Sequence, residues 1–123
     1  MLGVYVHILE VEDSWLHHDA MGIPWPFGDR DPSVFASFDE VEVYDRELAQ
    51  KTRMLMQNLT SEALTRLVSF EWRSRRVKSS IENILMHVFV DELAHLGELV
   101  CLMWQLDVKP PWTDWIEGRY EPP

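Results

Sequence analysis

Residues 79–106, SSIENILMHVFVDELAHLGELVCLMWQL, place ionisable groups where a helix asks for aliphatic ones. Apolar residues recur at helical spacing through Ile81, Ile84, Val88, Leu99, Leu102 and Leu106. The same rhythm of threes and fours lands on Asp91 and His95 in the middle. Burying either group costs several kcal/mol unless it is paired, hydrogen-bonded or bound to a metal. An i, i+4 pair sets two donors on adjacent turns about 6 Å apart, a common way for one helix to hold a divalent metal. A facing helix then needs to supply one more group, and His7 lies on an apolar stripe between Val4 and Val11. Two histidines and a carboxylate leave coordination positions open to water or substrate. Spacing alone equally permits a buried Asp–His hydrogen bond with His7 as an ordinary core histidine.

The neighbouring groups each carry a plain reading beside the chemical one. Asp91-Glu92-Leu93-Ala94-His95 is an HExxH string with its first His changed to Asp; in a zinc protease the Glu would be general base. Glu92 with His95 is also half of a di-iron motif, but no second ExxH exists, so a two-metal site would need another subunit. Glu92 and Glu98 read as solvated charges or as partners of the ligands, and Glu12 as a solvated charge or as a hydrogen-bond partner across the helix interface. His87, one turn before Asp91, reads as such a partner or as a histidine at the core edge. His17 and His18 suit the C-terminal end of their helix dipole. Cys101, in an apolar helix without a basic neighbour, reads as a buried thiol. Asp29 and Asp31 lack the turn glycine and closing glutamate of a calcium loop. Neither a Ser–His–Asp arrangement nor a phosphate-binding glycine loop is present.

Three long helices must position these groups. The helix over 79–106 opens with a capping box, Ser79 and Glu82. Residues 1–21 form an amphipathic helix with Val4, Ile8, Val11 and Trp15 inward, stopped by Gly22. Beginning at residue 1 without a cap, it implies either an upstream segment or a partner chain at this end. Residues 23–36 are a proline-rich connection. A second capping box, Ser37 and Glu40, opens a helix over 38–59. Val41, Tyr44, Leu48, Leu55 and Leu59 form its inner face; Asp45, Glu47, Lys51 and Arg53 form its wet one. Alternation from Arg66 to Trp72, a turn at 73–75 and a short return through Val77 predict a small hairpin. The tail after Pro110 and Pro111 is too apolar to be free, so it is expected to pack back on the bundle.

Composition bounds the function classes. The chain of 123 residues fits one domain, residues 1–123, with 46% hydrophobic and 26% charged residues. A formal net charge of −10 argues against nucleic-acid and anionic-membrane partners, which need clustered Lys and Arg. The single cysteine rules out an intrachain disulfide. Neither a signal peptide nor a membrane-spanning run is visible, so the expected location is cytoplasmic.

The run ILMHVFVDELAHLGELVCLMWQLDVKPPWTDW resembles the last helix and tail of the DinB/YfiT-like superfamily, whose pattern is roughly LxHxxxHExxHxGEhxxxLxxhGxxPPxxD. VHILEVEDSWLH resembles the family helix that carries the remaining metal-binding histidine, and SFEWRSRRVKSSIENIL its short hairpin. The resemblance implies an all-α helical bundle with a small hairpin, often dimeric. It also implies a divalent metal (zinc, nickel, manganese or iron) held by His7, Asp91 and His95. Asp91 stands where the family has a ligand histidine, and the family's first helix has no counterpart here. The apolar groove thereby left open predicts a homodimer or swapped assembly. Members with known activity resemble thiol-dependent transferases and isomerases, which implies a metal-dependent transferase acting with a low-molecular-weight thiol, or a hydrolase. The alternatives are a stress-associated oligomer with a degenerate site, and a structural bundle whose Asp–His pair is only a polar contact.

Overall fold

The structure, a computed structural model, describes residues 1–24 and 35–111. Helix α1 (Leu2–Glu12) runs without a break into a π-helical stretch, Asp13–Ala20. Helix α2 spans Phe38–Asn58, α3 is a one-turn helix at Ser61–Thr65, strands β1 and β2 cover Leu67–Trp72 and Arg75–Ser80, and α4 is Ile81–Gln105. The chain is thus mostly helical, with a two-stranded hairpin immediately before the last helix. Among the described residues, no helix is long and apolar enough to cross a membrane. The expected calcium-poor loop at 29–31 and most of the tail lie outside the described residues.

Helix α1 and its π continuation form the centre, with α2 on one side and α4 on the other. Two apolar clusters record this. Val6 and Leu9 pack with Val41, Tyr44 and Leu48 of α2, while Leu16 and Ala20 pack with Ile81, Ile84 and Val88 of α4. Being packed on two sides, the first helix lacks the single inner stripe expected of it. Val6, Leu9, Val11 and Leu16 are buried, whereas Val4, Ile8 and Trp15 are only half-buried. Gly22 ends the helix as expected, at φ 72 with its N–H donating to His18 O at 2.8 Å.

The other elements begin and end for local reasons. Ser37 Oγ accepts from the Glu40 N–H, and the Glu40 carboxylate reaches back to the Ala36 N–H, one residue earlier than a strict capping box. Thr60 caps α3 in the same way, a short element that the hydrophobic pattern does not announce. The cap of α4 is Ser80, accepting from the Asn83 N–H, and not Ser79. Ser79 is still in the hairpin, opposite Val68. The return strand therefore runs to Ser80, three residues beyond the expected Val77. Trp72 faces Arg75 across a two-residue turn with Arg73 at φ 49 and Ser74 at φ 59, the type I′ geometry that matches strand twist. Val68 and Phe70 point from this hairpin into the α4 cluster.

Candidate metal centre

Twelve residues into the chain the helix widens, and the polar groups it buries there differ from those sequence periodicity selects. Asp13, Ser14 and His17 are buried with Glu10. Asp13 accepts from Tyr44 Oη at 3.0 Å and pairs with Lys51 Nζ at 2.5 Å. Thr52 Oγ donates to Glu12, and His17 Nε2 meets the same hydroxyl at 3.0 Å. Tyr5 Oη donates to Asp45. Asp45 and Lys51 therefore bind the central helix and do not belong to the wet face of α2. Burial, and then the Lys51 charge, hold the His17 imidazole below its ordinary pKa. Of this network the sequence marks only Glu12, as a hydrogen-bond partner across the helix interface. The rest shows only as a density of polar residues, EVEDSWLHHD, in a helix that must be central.

The three residues singled out from spacing do come together. His7 projects from α1 toward α4, and Asp91 and His95 stand one turn apart on α4. Asp91 Oδ2 lies 3.9 Å from His7 Nε2 and 3.7 Å from His95 Nε2, and one donor atom from each residue falls within 4.8 Å of the others. The two imidazoles meet edge to face with centroids 4.6 Å apart. Among the described residues this is the one group of three His, Cys or acidic side chains that converges so closely.

Asp91 Oδ2 is buried and has no hydrogen-bond partner among the described residues. A buried carboxylate oxygen aimed at two imidazole nitrogens at 3.7–3.9 Å is too far for hydrogen bonds. The separations suit a shared ion. Donors about 2.1 Å from a tetrahedral ion stand roughly 3.4 Å apart, a small contraction from the two Asp91 separations and a larger one for the group as a whole, whose donors lie within 4.8 Å. The donor set, two borderline nitrogens and one hard oxygen, fits a divalent first-row metal. His7 is 44% exposed in its side chain and the two α4 residues 24%, so the group opens to solvent on one side.

Glu98 completes the geometry. Its carboxylate lies 2.8 Å from His95 Nδ1. With Nδ1–H donated there, Nε2 keeps its lone pair toward Asp91 and His7, the tautomer a metal needs. Glu92 does not join the group. It turns toward Glu12, and burial first, then the Glu12 charge and hydrogen bond, push its carboxyl up to about 7. His87 stays apart as well, its ring 4.4 Å from that of Trp15, which also contacts Phe70. The exposed His18 binds Ile23 O through Nδ1. Cys101 is exposed, contrary to its apolar sequence context, because it lies on the outer side of α4.

No curated protein matches the chain. A model of the DinB family matches residues 1–121, nearly the whole length, and includes α1 and α4 with all three converging residues. The chain belongs to the DinB family.

Proposed function

We propose that this protein binds a divalent metal ion through His7 Nε2, the Asp91 carboxylate and His95 Nε2, and uses it in a thiol-dependent transfer or a hydrolysis. The observation that carries the reading is the orphaned Asp91 oxygen between two imidazoles. A metal there would supply Lewis acidity, lowering the pKa of a thiol or water brought to it. The protein's own contribution is orientation. Glu98 sets the His95 tautomer, the helix spacing holds Asp91 beside it, and the open side near His7 admits a small molecule. One carboxylate in place of a third imidazole hardens the donor set, which supports manganese or ferrous iron alongside zinc and nickel.

Elemental analysis tests the reading directly. Untagged protein and His95→Ala are purified without chelator or added metal. Near-stoichiometric metal in the first and none in the second is the expected result. No metal in either, even after reloading with zinc, nickel, manganese and ferrous iron, would overturn it. The exposed apolar side of α4 favours the second reading, an oligomeric bundle without turnover, and that outcome would leave it standing.

A further inference from the structure

Five of the chain's eleven lysines and arginines fall within residues 66–80, beside one carboxylate, Glu71. The segment thus carries a net charge of +4 in a chain whose net charge is −10, and the remainder carries −14. Arg73 lies over the Trp72 ring, 4.6 Å from its centroid, and Arg66 reaches Met21 Sδ at 3.9 Å. The other three, Arg75, Arg76 and Lys78, are exposed and form no ion pair with any described residue. Even Glu71, directly opposite Arg76 across the ladder, does not close on it.

The backbone of the same strand is open. Strands β1 and β2 form a two-stranded sheet, so among the described residues each has an unpaired edge. The two-residue turn makes Trp72 and Arg75 a hydrogen-bonded pair, and the pattern repeats at Phe70 with Val77 and at Val68 with Ser79. Arg76 and Lys78, in the intervening pairs, direct their N–H and C=O groups away from β1. No described group outside the hairpin hydrogen-bonds them there. Val68 and Phe70 face the α4 cluster, so Val77 shares that inner face and the Arg76 and Lys78 side chains lie on the outer one. Free backbone donors and acceptors therefore coincide with two unpaired cations, about 7 Å apart along one edge.

We propose that the free edge of β2 receives an acidic, extended segment of another protein as a third strand, with carboxylates at alternate positions facing Arg76 and Lys78. The backbone ladder attracts any extended chain, and the side chains decide which one stays. Edge lysines and arginines keep uncharged strands from pairing; here they admit a strand whose residues i and i+2 are both acidic. The residue between those two meets Val77, a neighbour that favours a β-branched partner. The six-residue strand is about 20 Å long, so a short peptide ends where the cations end. A nucleic acid or an anionic bilayer would run on over a surface that carries −14, which sets both against this edge.

The test is a titration of the full chain with two end-capped fluorescent peptides of one composition. In the first glutamate alternates with threonine, and in the second the glutamates form one block. The alternating peptide should bind, severalfold more weakly at high ionic strength than at low, and the block peptide should bind severalfold more weakly than the alternating one. Amide exchange followed by NMR should show Arg76 and Lys78 protected when the alternating peptide is bound, which attraction of charges alone does not produce. Arg76→Glu combined with Lys78→Glu should abolish binding. Arg46→Glu combined with Arg53→Glu, an equal change of net charge on α2, should weaken it at most about twofold. All four positions are exposed, and circular dichroism checks that the fold is kept; the two peptides keep the test decisive on the unaltered chain. No binding at low ionic strength, equal binding of the two peptides, unprotected amides, or equal losses in the two double variants would each overturn the proposal. A preference for an oligonucleotide or anionic vesicles over the alternating peptide would assign the hairpin to phosphate and overturn it as well.

Discussion

Asp91→Asn should make the metal-free protein more stable and the metal-loaded protein less so. The carboxylate carries a buried oxygen without a hydrogen-bond partner, facing two imidazole nitrogens. That oxygen has lost water without gaining a hydrogen bond. An unsatisfied buried polar group costs about 1–3 kcal/mol. Because the side chain is 24% exposed, the lower half of that range applies. The amide keeps the shape, drops the charge and can donate to an imidazole nitrogen. The expected gain is about 1–2 kcal/mol, or roughly 3–8 °C in Tm for a domain of this size. With metal at a hundredfold excess over its Kd, wild type gains about 2.7 kcal/mol by linkage, and a variant that cannot bind gains nothing. The order of the two melting curves should therefore reverse between chelator and metal. Differential scanning calorimetry of both proteins in both conditions reads this. A variant that melts lower than wild type in chelator would refute the argument from the orphaned oxygen, and unchanged order on adding metal would refute the site.

Glu98→Ala frees His95 Nδ1 and should weaken metal affinity about 10- to 100-fold, measured by competition with a chromophoric chelator, while leaving stability in chelator nearly unchanged. Lys51→Met leaves Asp13 buried without its cation and should cost about 2–3 kcal/mol in urea unfolding, below the usual 3–5 because Lys51 is partly exposed. Adding Asp13→Asn to that variant should recover part of the loss. Glu92 titrates near 7 in the fold and near 4.5 unfolded, so its contribution to stability is fully present below about pH 4.5 and is lost as pH rises through 7. Glu92→Gln should therefore match wild type in Tm near pH 4.5 and exceed it near pH 8, and a difference that does not grow over that window counts against the Glu12–Glu92 contact.

Some of this molecule was legible in the chain and some was not, for physical reasons. The α4 stripe announced Asp91 and His95 because period 3.6 makes a polar residue at a core position conspicuous. His7 followed because one more donor was needed and few histidines lay on an opposed helix. The buried set Asp13, His17 and Glu10 was invisible for the converse reason. A helix packed on two sides has no stripe to violate, and the π-helical widening shifts which positions face inward. Lys51 and Asp45 looked solvated because their partners belong to that same unmarked face. Ser79 looked like a cap because Ser79 and Ser80 are adjacent and only the hairpin register decides between them.

The π-helical stretch at Asp13–Ala20 lies where one rod passes from the first apolar cluster to the second. Ahead of it the helix presents Val6 and Leu9 to α2, and within it Leu16 and Ala20 to α4. Each hydrogen-bonded ring there encloses one residue more than in an α-helix, so the stretch works as a phase adjuster between the two surfaces. Deleting a single residue between Asp13 and Ala20 would let the segment rewind as ordinary helix and leave everything beyond it nearly in phase, because an α-helix one residue shorter turns about as far as the wider stretch does. The wide stretch therefore absorbs one residue more than an ordinary helix would hold, and a relative one residue shorter here would keep the same residues facing α4 on an unbroken α-helix.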